Sequence, residues 1–489
     1  MNVMMQNKSA SISIIILTEK GAVPERNVNT AMKLGRVYSM HPPSITPAVS
    51  AMVEHIPAVP SIPAALNQII TSCQTEFLII ITDDMELNGN IPELLRNVPK
   101  AAGLIYGDYL ELAEGQLAVK RTYKGPEDIT ERAELGRAMI YRVEALKEAG
   151  GWDESLKYAY DYDLRLKLAE SGQIHYIDAA VCIIYPESSE ESKADKLFFP
   201  GKGKYGGFSY LFMEPEEERE IETVFMNSLK RRGALLEGDA PPMKPEPLIS
   251  PAVSVITPVF NREKFIGKAI ESVLSGKFRD FEYIIIDNGS TDGTREVVER
   301  YTSDPRIRLI RNDVNRIAIS LNIGLKEARG KYISQLDSDD LYIPDTLKSM
   351  IAFMEETNCA LGISYYSLID EEGDDLPEFG VIKHAEYSRN NILRVDGAGA
   401  VRVWRKSAML EFGGFDEGEL CDYGEDYDLV LKVGEKYRVG RVREVLYKYR
   451  RHPDNSDIKR DPLFKLRNKN LARERALGRR SVMNVEAIT

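Results

Sequence analysis

The sequence predicts an α/β protein built as two tandem copies of one sheet-and-helix domain. Two observations predict it. Apolar, β-branched runs end abruptly in polar, carboxylate-bearing turns at VSVITPVFNR (Val253–Arg262), EYIIIDNGSTDGT (Glu282–Thr294) and QLDSDDLY (Gln335–Tyr342). Such runs read as buried strands of a parallel sheet, and ligands of open α/β sheets bind beyond the carboxyl ends of the strands. The same order of signals also occurs in the first half. Leu66-Asn67 followed by a TDD turn matches Leu321-Asn322 followed by DSD, GGWDES (Gly150–Ser155) matches GGFDEG (Gly413–Gly418), and YDYDL matches EDYDL.

Along the chain, Met1–Ala10 reads as a frayed lead-in, SISIIILT (Ser11–Thr18) as a buried strand, and FLIIITDDME (Phe77–Glu86) as a strand ending in acids. His41–Pro63 is Pro-rich and without period, hence loop. YAYDYDLRLKL (Tyr158–Leu168) and EPEEEREIETVFMNSLKRR (Glu214–Arg232) have helical spacing. GDAPPMKPEPLISP (Gly238–Pro251) has the composition of a stiff, extended linker. The basic tail KLRNKNLARERALGRR (Lys465–Arg480) reads as a helix, either packed on its domain with a solvated face or drawn to an anionic lipid surface. The expected domains are residues 1–200, a helical and Pro-rich linker at 201–250, a site-bearing domain at 251–456 and the tail at 457–489.

The 489 residues are 43% hydrophobic and 29% charged, ordinary for a globular chain with more than one core. A net charge of −12 argues against nucleic acid as a partner, because a phosphate-binding surface needs clustered Lys and Arg. The four cysteines are far apart with no CxxC spacing, which fits buried, reduced thiols in a cytoplasmic protein better than a zinc site or disulfides. No apolar run approaches the roughly 18 residues of a membrane span, and the N-terminus lacks the apolar region of a signal peptide.

The DSDD turn is the most informative motif. Three carboxylates in four residues repel one another unless a cation sits among them, and hard oxygen ligands suit Mg2+ or Mn2+. In GEDYDLVLKV (Gly424–Val433) the apolar spacing of Leu429, Val430 and Val433 starts a helix, so Glu425 and Asp426 sit in its first turn, near the positive end of the helix dipole. Acids in a first turn are common, a Pro after a strand is usually just a turn, and a single His is usually structural. The ordered set is what carries weight.

From about Ala252 to Ser456 that set resembles the family 2 glycosyltransferases, nucleotide-sugar-dependent enzymes with a GT-A fold. The N-terminal half resembles them faintly. The resemblance implies two GT-A-like, Rossmann-like domains in tandem. It implies that Thr257, Pro258, Val259, Asn261 and Arg262 cup the nucleotide, while Asp287 holds its base, normally uracil. Asp337 and Asp339 would form the DxD pair, Asp339 on a Mn2+ or Mg2+ ion and Asp337 facing the ribose or the metal. His452, in YKYRRHPDNS (Tyr447–Ser456), would approach the metal or the diphosphate, with Arg450 or Arg451 neutralising phosphate charge. Asp426 would be the general base, supported by Glu425. Arg402, Trp404 and the GGFDEG turn with Gly414 would form the acceptor side, although Trp404 reads equally as a core residue. The implied reaction is metal-dependent, inverting transfer from a UDP-sugar to a glycan or lipid-linked saccharide of a cell-surface polysaccharide, met from the cytosolic side of the membrane.

The chain departs from the family's pattern in two places. VNRIAISLN (Val314–Asn322) carries Ile317 where a glycine is usual. The N-terminal copy keeps Asp83, Asp84 and Asp161 but has Thr82 for the first DxD acid and Tyr160 for the ED glutamate. It has no counterpart of DNGSTDG and no His after IDAAVCIIYP (Ile177–Pro186). The expectation is a degenerate domain that positions acceptor or partner. Other readings are a two-site polysaccharide polymerase, a non-catalytic glycan-binding scaffold, and a nucleotidyltransferase that makes nucleotide-sugars. The last would want a Gly-rich, cationic loop after the first strand, which TPVFNREKF does not supply.

Overall fold

A computed structural model describes residues 11–17, 25–39, 54–55, 60–82, 84–113, 115–122, 124–125, 128–133, 135–185 and 213–486. The lead-in Met1–Ala10, most of the His41–Pro63 segment, Asp83 and the stretch after the first copy's last strand lie outside the described residues. The chain divides into two compact units, with the boundary between Arg231 and Arg232.

In the N-terminal unit, β1 (Ile12–Leu17), β2 (Arg36–Ser39), β3 (Glu54–His55), β4 (Phe77–Thr82), β5 (Met85–Leu87), β6 (Leu104–Ala113), β7 (Gln116–Lys120), β8 (Met139–Arg142) and β9 (Ile174–Ile184) form one sheet in the order β3-β2-β1-β4-β8-β6-β9-β5, with β7 hairpinned onto β6. The C-terminal unit repeats this with β10 (Val253–Val259), β11 (Phe281–Asp287), β12 (Ile307–Arg311), β13 (Tyr332–Gln335), β14 (Leu341–Tyr342), β15 (Leu361–Ile369), β16 (Val381–Ile382), β17 (Arg402–Arg405) and β18 (Val439–Arg450), in the order β12-β11-β10-β13-β17-β15-β18-β14. Pairing directions match as well. The first strands run parallel, β4–β8 and β13–β17 are antiparallel, and β6–β9 and β15–β18 are parallel with register shifts at the same place. Both units are α/β domains with the same strand order.

Each unit's helices cover its sheet: α1 (Ile62–Ser72), α2 (Tyr160–Glu170) and α3 (Pro215–Arg231) belong to the first, and α4 (Ile266–Leu274), α5 (Thr294–Glu299), α6 (Ile317–Glu327), α7 (Glu425–Lys436) and α8 (Pro462–Glu486) to the second. The central strands are largely apolar because both faces are covered: all seven residues of β11 are buried. Val255, Tyr283, Ile270 and Met350 share the core on one side. On the other, α6 lies so close that a Cβ on Gly324 would stand 2.5 Å from Ile256 Cγ2.

The repeat is legible in single hydrogen bonds. Asn322 on α6 donates to the Phe415 carbonyl (2.9 Å) and accepts from its N–H (2.9 Å), and also donates to Glu417 (2.8 Å). Asn67 on α1 does the same with Trp152 (2.8 and 2.9 Å) and Glu154 (2.9 Å). The glycine before each aromatic has a positive φ, and a Cβ would stand 2.4 Å from Asn67 Oδ1 at Gly151 or 2.5 Å from Asn322 Oδ1 at Gly414. Only glycine fits this clasp.

One segment departs from the sequence reading, and another follows one of its two alternatives. The Pro-rich stretch is extended but is no spacer, because it is strapped to the C-terminal unit. The carbonyls of Pro241, Lys244 and Glu246 accept from Arg438 N–H (2.8 Å), Arg405 (2.7 Å) and Lys331 (2.7 Å). The basic tail is a packed helix whose cations pair within their own unit. Lys469 and Arg473 meet Asp396, Arg475 meets Asp416 and Glu419, and Arg479 and Arg480 meet Glu435. The charge that suggested a lipid surface is largely spent internally. All four cysteines are buried and unpaired, and no helix among the described residues is long and apolar enough to cross a membrane.

Candidate active site

The register that sets Val259 opposite Asp287 brings the carboxyl ends of β10 and β11 together, beside the end of β13 at Gln335. The DSDD turn that follows is pinned to β18. The Tyr447 hydroxyl accepts the Asp337 N–H (3.3 Å) and donates to Asp340 Oδ2 (2.8 Å), while the Arg450 N–H donates to Asp340 Oδ1 (2.7 Å). Asp340 is therefore a buried anchor. Burial, then Asp339 and Asp337, push its carboxyl well above the usual range.

Asp339 and Asp337 are the turn's partly open acids. Asp339 Oδ2 accepts from Arg262 Nε (3.2 Å) and lies 3.0 Å from His452 Nε2. Burial works against ionisation there, but the His452 hydrogen bond and the Arg262 charge outweigh it and hold the carboxyl below the ordinary range. Asp337 has only an amide donor, Gln335 at 3.2 Å. Burial, then Asp339, pushes its carboxyl up to about 6. His452 is fixed by its own N–H on Asn455 (2.7 Å), by the Asp454 N–H on Nδ1 (3.2 Å) and by the Phe265 ring, 4.7 Å away.

Gly424, at φ +91°, turns the chain into α7 and leaves Glu425 and Asp426 in its first turn. Glu425 is buried; burial, then Asp426, push its carboxyl well above the usual range. The Asp426 side chain stays 30% exposed, with Oδ2 2.7 Å from Arg402 Nη1 and Oδ1 accepting the Tyr427 N–H at 2.7 Å. Burial opposes the Arg402 charge, but Asp426, then Asp337 and Glu425, more than restore it. Asp337 in turn feels Asp339, Arg402 and Asp426. The DSDD and ED acids thus belong to one charge cluster.

The loop after β10 is tied to the loop after β11. Asn261, at φ +50°, donates its N–H to Ser290 (3.0 Å) and accepts the Thr291 N–H (2.8 Å), and the Arg262 N–H donates to Thr294 (2.7 Å). Buried Asp287 accepts the Ser290 N–H (3.0 Å) at the head of that loop. Pro258 is half-buried at the strand end.

Several expected roles are corrected. Thr257 and Val259 are buried, and the Thr257 hydroxyl donates to the Leu336 carbonyl (2.7 Å), so a part for either in cupping a nucleotide would fall to its backbone. Trp404 is wholly buried between β13 and β15, opposite Ile333 and Leu361, and offers no platform to a sugar. Gly414 serves the Asn322 clasp. Arg402 is the partner of Asp426 and is not free for an acceptor. Arg450 is committed to the carbonyls of Asp339 (2.6 Å), Asp370 (3.1 Å) and Glu371 (2.9 Å), leaving Arg262 as the guanidinium beside Asp339. Tyr447, which orients the turn, escaped the sequence reading because an alternating YKY in a strand looks like any half-buried edge.

Among the described residues, no group of three or more His, Cys, Asp or Glu is arranged to hold a metal ion alone. Mg2+-type ions at phosphate sites need only one or two protein donors, the rest being phosphate and water. Asp339 Oδ2 and His452 Nε2 stand 3.0 Å apart in a hydrogen bond, about the spacing of neighbouring ligands of an octahedral ion at about 2.1 Å; His452 would ligate only with its proton moved from Nε2 to Nδ1, releasing the Asp454 N–H. The donor set fits an ion that arrives with a diphosphate.

The N-terminal unit lacks most of this. Thr82 donates to Asp84, so the matching turn is closed on itself. Strand register puts Met139 where the other unit has Arg402. Asp161, in the place of Asp426, accepts from the Trp152 indole (2.7 Å), and burial pushes it up to about 6 although the indole pulls the other way.

The sequence profile described as Glycosyl transferase family 2 matches residues 254–411. An uncharacterized glycosyltransferase of Rickettsia felis is 29% identical over 329 residues, 64% of this chain and 54% of that protein. The putative glycosyltransferase EpsE of Bacillus subtilis is 33% identical over 217 residues, 42% of this chain and 74% of that protein. Chondroitin synthase of Escherichia coli is 30% identical over 230 residues, 46% of this chain and 33% of that protein. The chain spans about half the length of the first curated relatives it matches. It belongs to the family 2 glycosyltransferases.

Proposed function

We propose that the C-terminal unit transfers a sugar, with inversion, from a nucleotide-sugar to a hydroxyl of a growing polysaccharide or its lipid-linked precursor. The observation that carries this is the placement of a partly exposed carboxylate, Asp426, in one charge cluster with the DSDD acids but on a different element. In this reading Asp426 takes the proton of the acceptor hydroxyl as that oxygen bonds to the anomeric carbon, while the bond from that carbon to the diphosphate breaks and the nucleoside diphosphate leaves. Arg402 keeps Asp426 oriented. Glu425 packs beneath it. Asn261 and Asp287 present the nucleotide side, with a uracil base for Asp287 and hence a UDP-sugar. Asp339 and His452 would hold Mn2+ or Mg2+, which when bound supplies Lewis-acid stabilisation of the leaving diphosphate. The chondroitin synthase relative favours a polysaccharide as the acceptor class, met at the cytosolic face of the membrane. The N-terminal unit serves as a scaffold for acceptor or partner.

A panel of nucleotide-sugars assayed for metal-dependent release of nucleoside diphosphate tests the reading. Release from a UDP-sugar, lost in Asp339→Asn and Asp426→Asn, is expected. Release of pyrophosphate from a nucleoside triphosphate and a sugar phosphate, or full turnover in both variants, would contradict it.

A further inference from the structure

The cation partner of Asp339 is part of the chain. Arg262 Nε and His452 Nε2 converge on the same oxygen, Oδ2, at 3.2 and 3.0 Å. The Arg262 guanidinium is held there from two further directions, donating to the Asn261 carbonyl (3.1 Å) and the Asp454 carbonyl (3.1 Å). Its backbone is also fixed, through the N–H on Thr294 (2.7 Å). The ion pair is mostly shielded, with side-chain exposures of 20% for Arg262 and 13% for Asp339, so its charges act at reduced dielectric.

A divalent ion seated on Oδ2 would therefore meet a fixed positive charge on the same oxygen. Like charges at that range repel strongly unless negative charge arrives with the ion. A diphosphate brings that charge, and guanidinium is suited to phosphate oxygens by its fork of donors. We propose that Arg262 is a built-in counter-ion that holds the metal position until a nucleoside diphosphate arrives, then transfers its bonds from Asp339 to the phosphates. Metal and nucleotide would bind as a coupled pair because Arg262 opposes the first alone and recruits the second. This rests on the transferase reading of the site.

Coupling of this kind is reciprocal and measurable without turnover. Free Mn2+ is titrated by electron paramagnetic resonance against the full chain, with and without saturating UDP, for wild type, Arg262→Gln and Arg262→Lys. Wild type should bind Mn2+ weakly alone and at least about ten-fold more tightly with UDP. Arg262→Gln should bind Mn2+ alone about ten-fold more tightly than wild type, with most of the UDP enhancement gone. Arg262→Lys, which keeps the charge but not the fork, should fall between. Circular dichroism of each variant checks that the fold is kept. An Arg262→Gln protein that is folded, binds Mn2+ no better than wild type and keeps the full enhancement would overturn the counter-ion proposal while leaving the transferase reading intact. No Mn2+ binding by wild type even with UDP would overturn both.

Discussion

Asp161 and Asp426 occupy matching places in the two units and meet opposite partners, an indole N–H in one and a guanidinium in the other. The difference is measurable as a pH dependence. Asp161 titrates at about 6 in the folded unit against 3.8 for an ordinary aspartate, so the native state holds the proton more tightly than the unfolded chain. Its contribution to stability is complete below about 4 and lost as pH rises through about 6. Asp161→Asn, which keeps an acceptor for Trp152, is expected to raise the melting temperature of the N-terminal unit at pH 8 and to leave it unchanged at pH 4. A variant less stable than wild type at pH 8 would show that the carboxylate is ionised and needed. For Asp426→Asn the expected effect is on turnover, a fall in kcat of about 10³-fold, the usual size of a lost general base, with the melting curve unmoved. Arg402→Met should lower kcat by about 10²-fold through misplacement of Asp426. Steady-state kinetics that show a rise in KM alone would return Arg402 to acceptor binding.

At the scale of elements, two features that the sequence hid hold the site in place. The Asn322 clasp joins α6 to the turn ahead of α7, so Asn322→Ala leaves the Phe415 N–H and carbonyl without their partner and should cost about 2–3 kcal/mol. Thermal unfolding of the C-terminal unit measures it, and a loss below 0.5 kcal/mol, roughly the level of a neutral surface change, would deny the clasp its role. The tail helix α8 also buttresses α7. Asn468 donates to the Tyr423 carbonyl (2.8 Å) just before Gly424, and Arg473 is buried against Asp396 (3.2 Å). Arg473→Ala should cost about 3 kcal/mol, because it strips a partner from a buried acid. The strands were readable because an apolar run ending in acids has few alternatives. The clasp was half readable: its repetition was visible as GGxDE with Leu-Asn, but its purpose was not, since the partners are about ninety residues apart. Trp404 stays open between core and sugar platform in the sequence because RVWR is too short to tell a core strand from a surface one. The strap is misread from sequence, and the tail stays open between a packed helix and a lipid-facing one, because composition reports what a segment carries and not which distant acids or carbonyls it meets.

On the scale of the molecule, one topology occurs twice and the ionisable groups of the site gather in one copy. Strand order, register shift and clasp are shared by the N-terminal unit because they serve packing, which each unit must satisfy. The acidic cluster is only partly kept: Asp84 and Asp161 remain, but Thr82, Met139 and Tyr160 stand where the other unit has Asp337, Arg402 and Glu425. Doubling of the fold was legible from the order of motifs. Inequality of the copies was legible from those substitutions, whereas the indole that closes off Asp161 was not, because GGWDES and GGFDEG differ at the aromatic without any change of pattern. The most direct measurement is nucleoside diphosphate release from the preferred nucleotide-sugar, with acceptor present, by four single variants. Asp339→Asn and Asp426→Asn should each reduce it by about 10³-fold, while Asp84→Asn and Asp161→Asn leave it within two-fold, about the scatter of a neutral change. Equal losses in both sets, or losses confined to Asp84 and Asp161, would contradict the account.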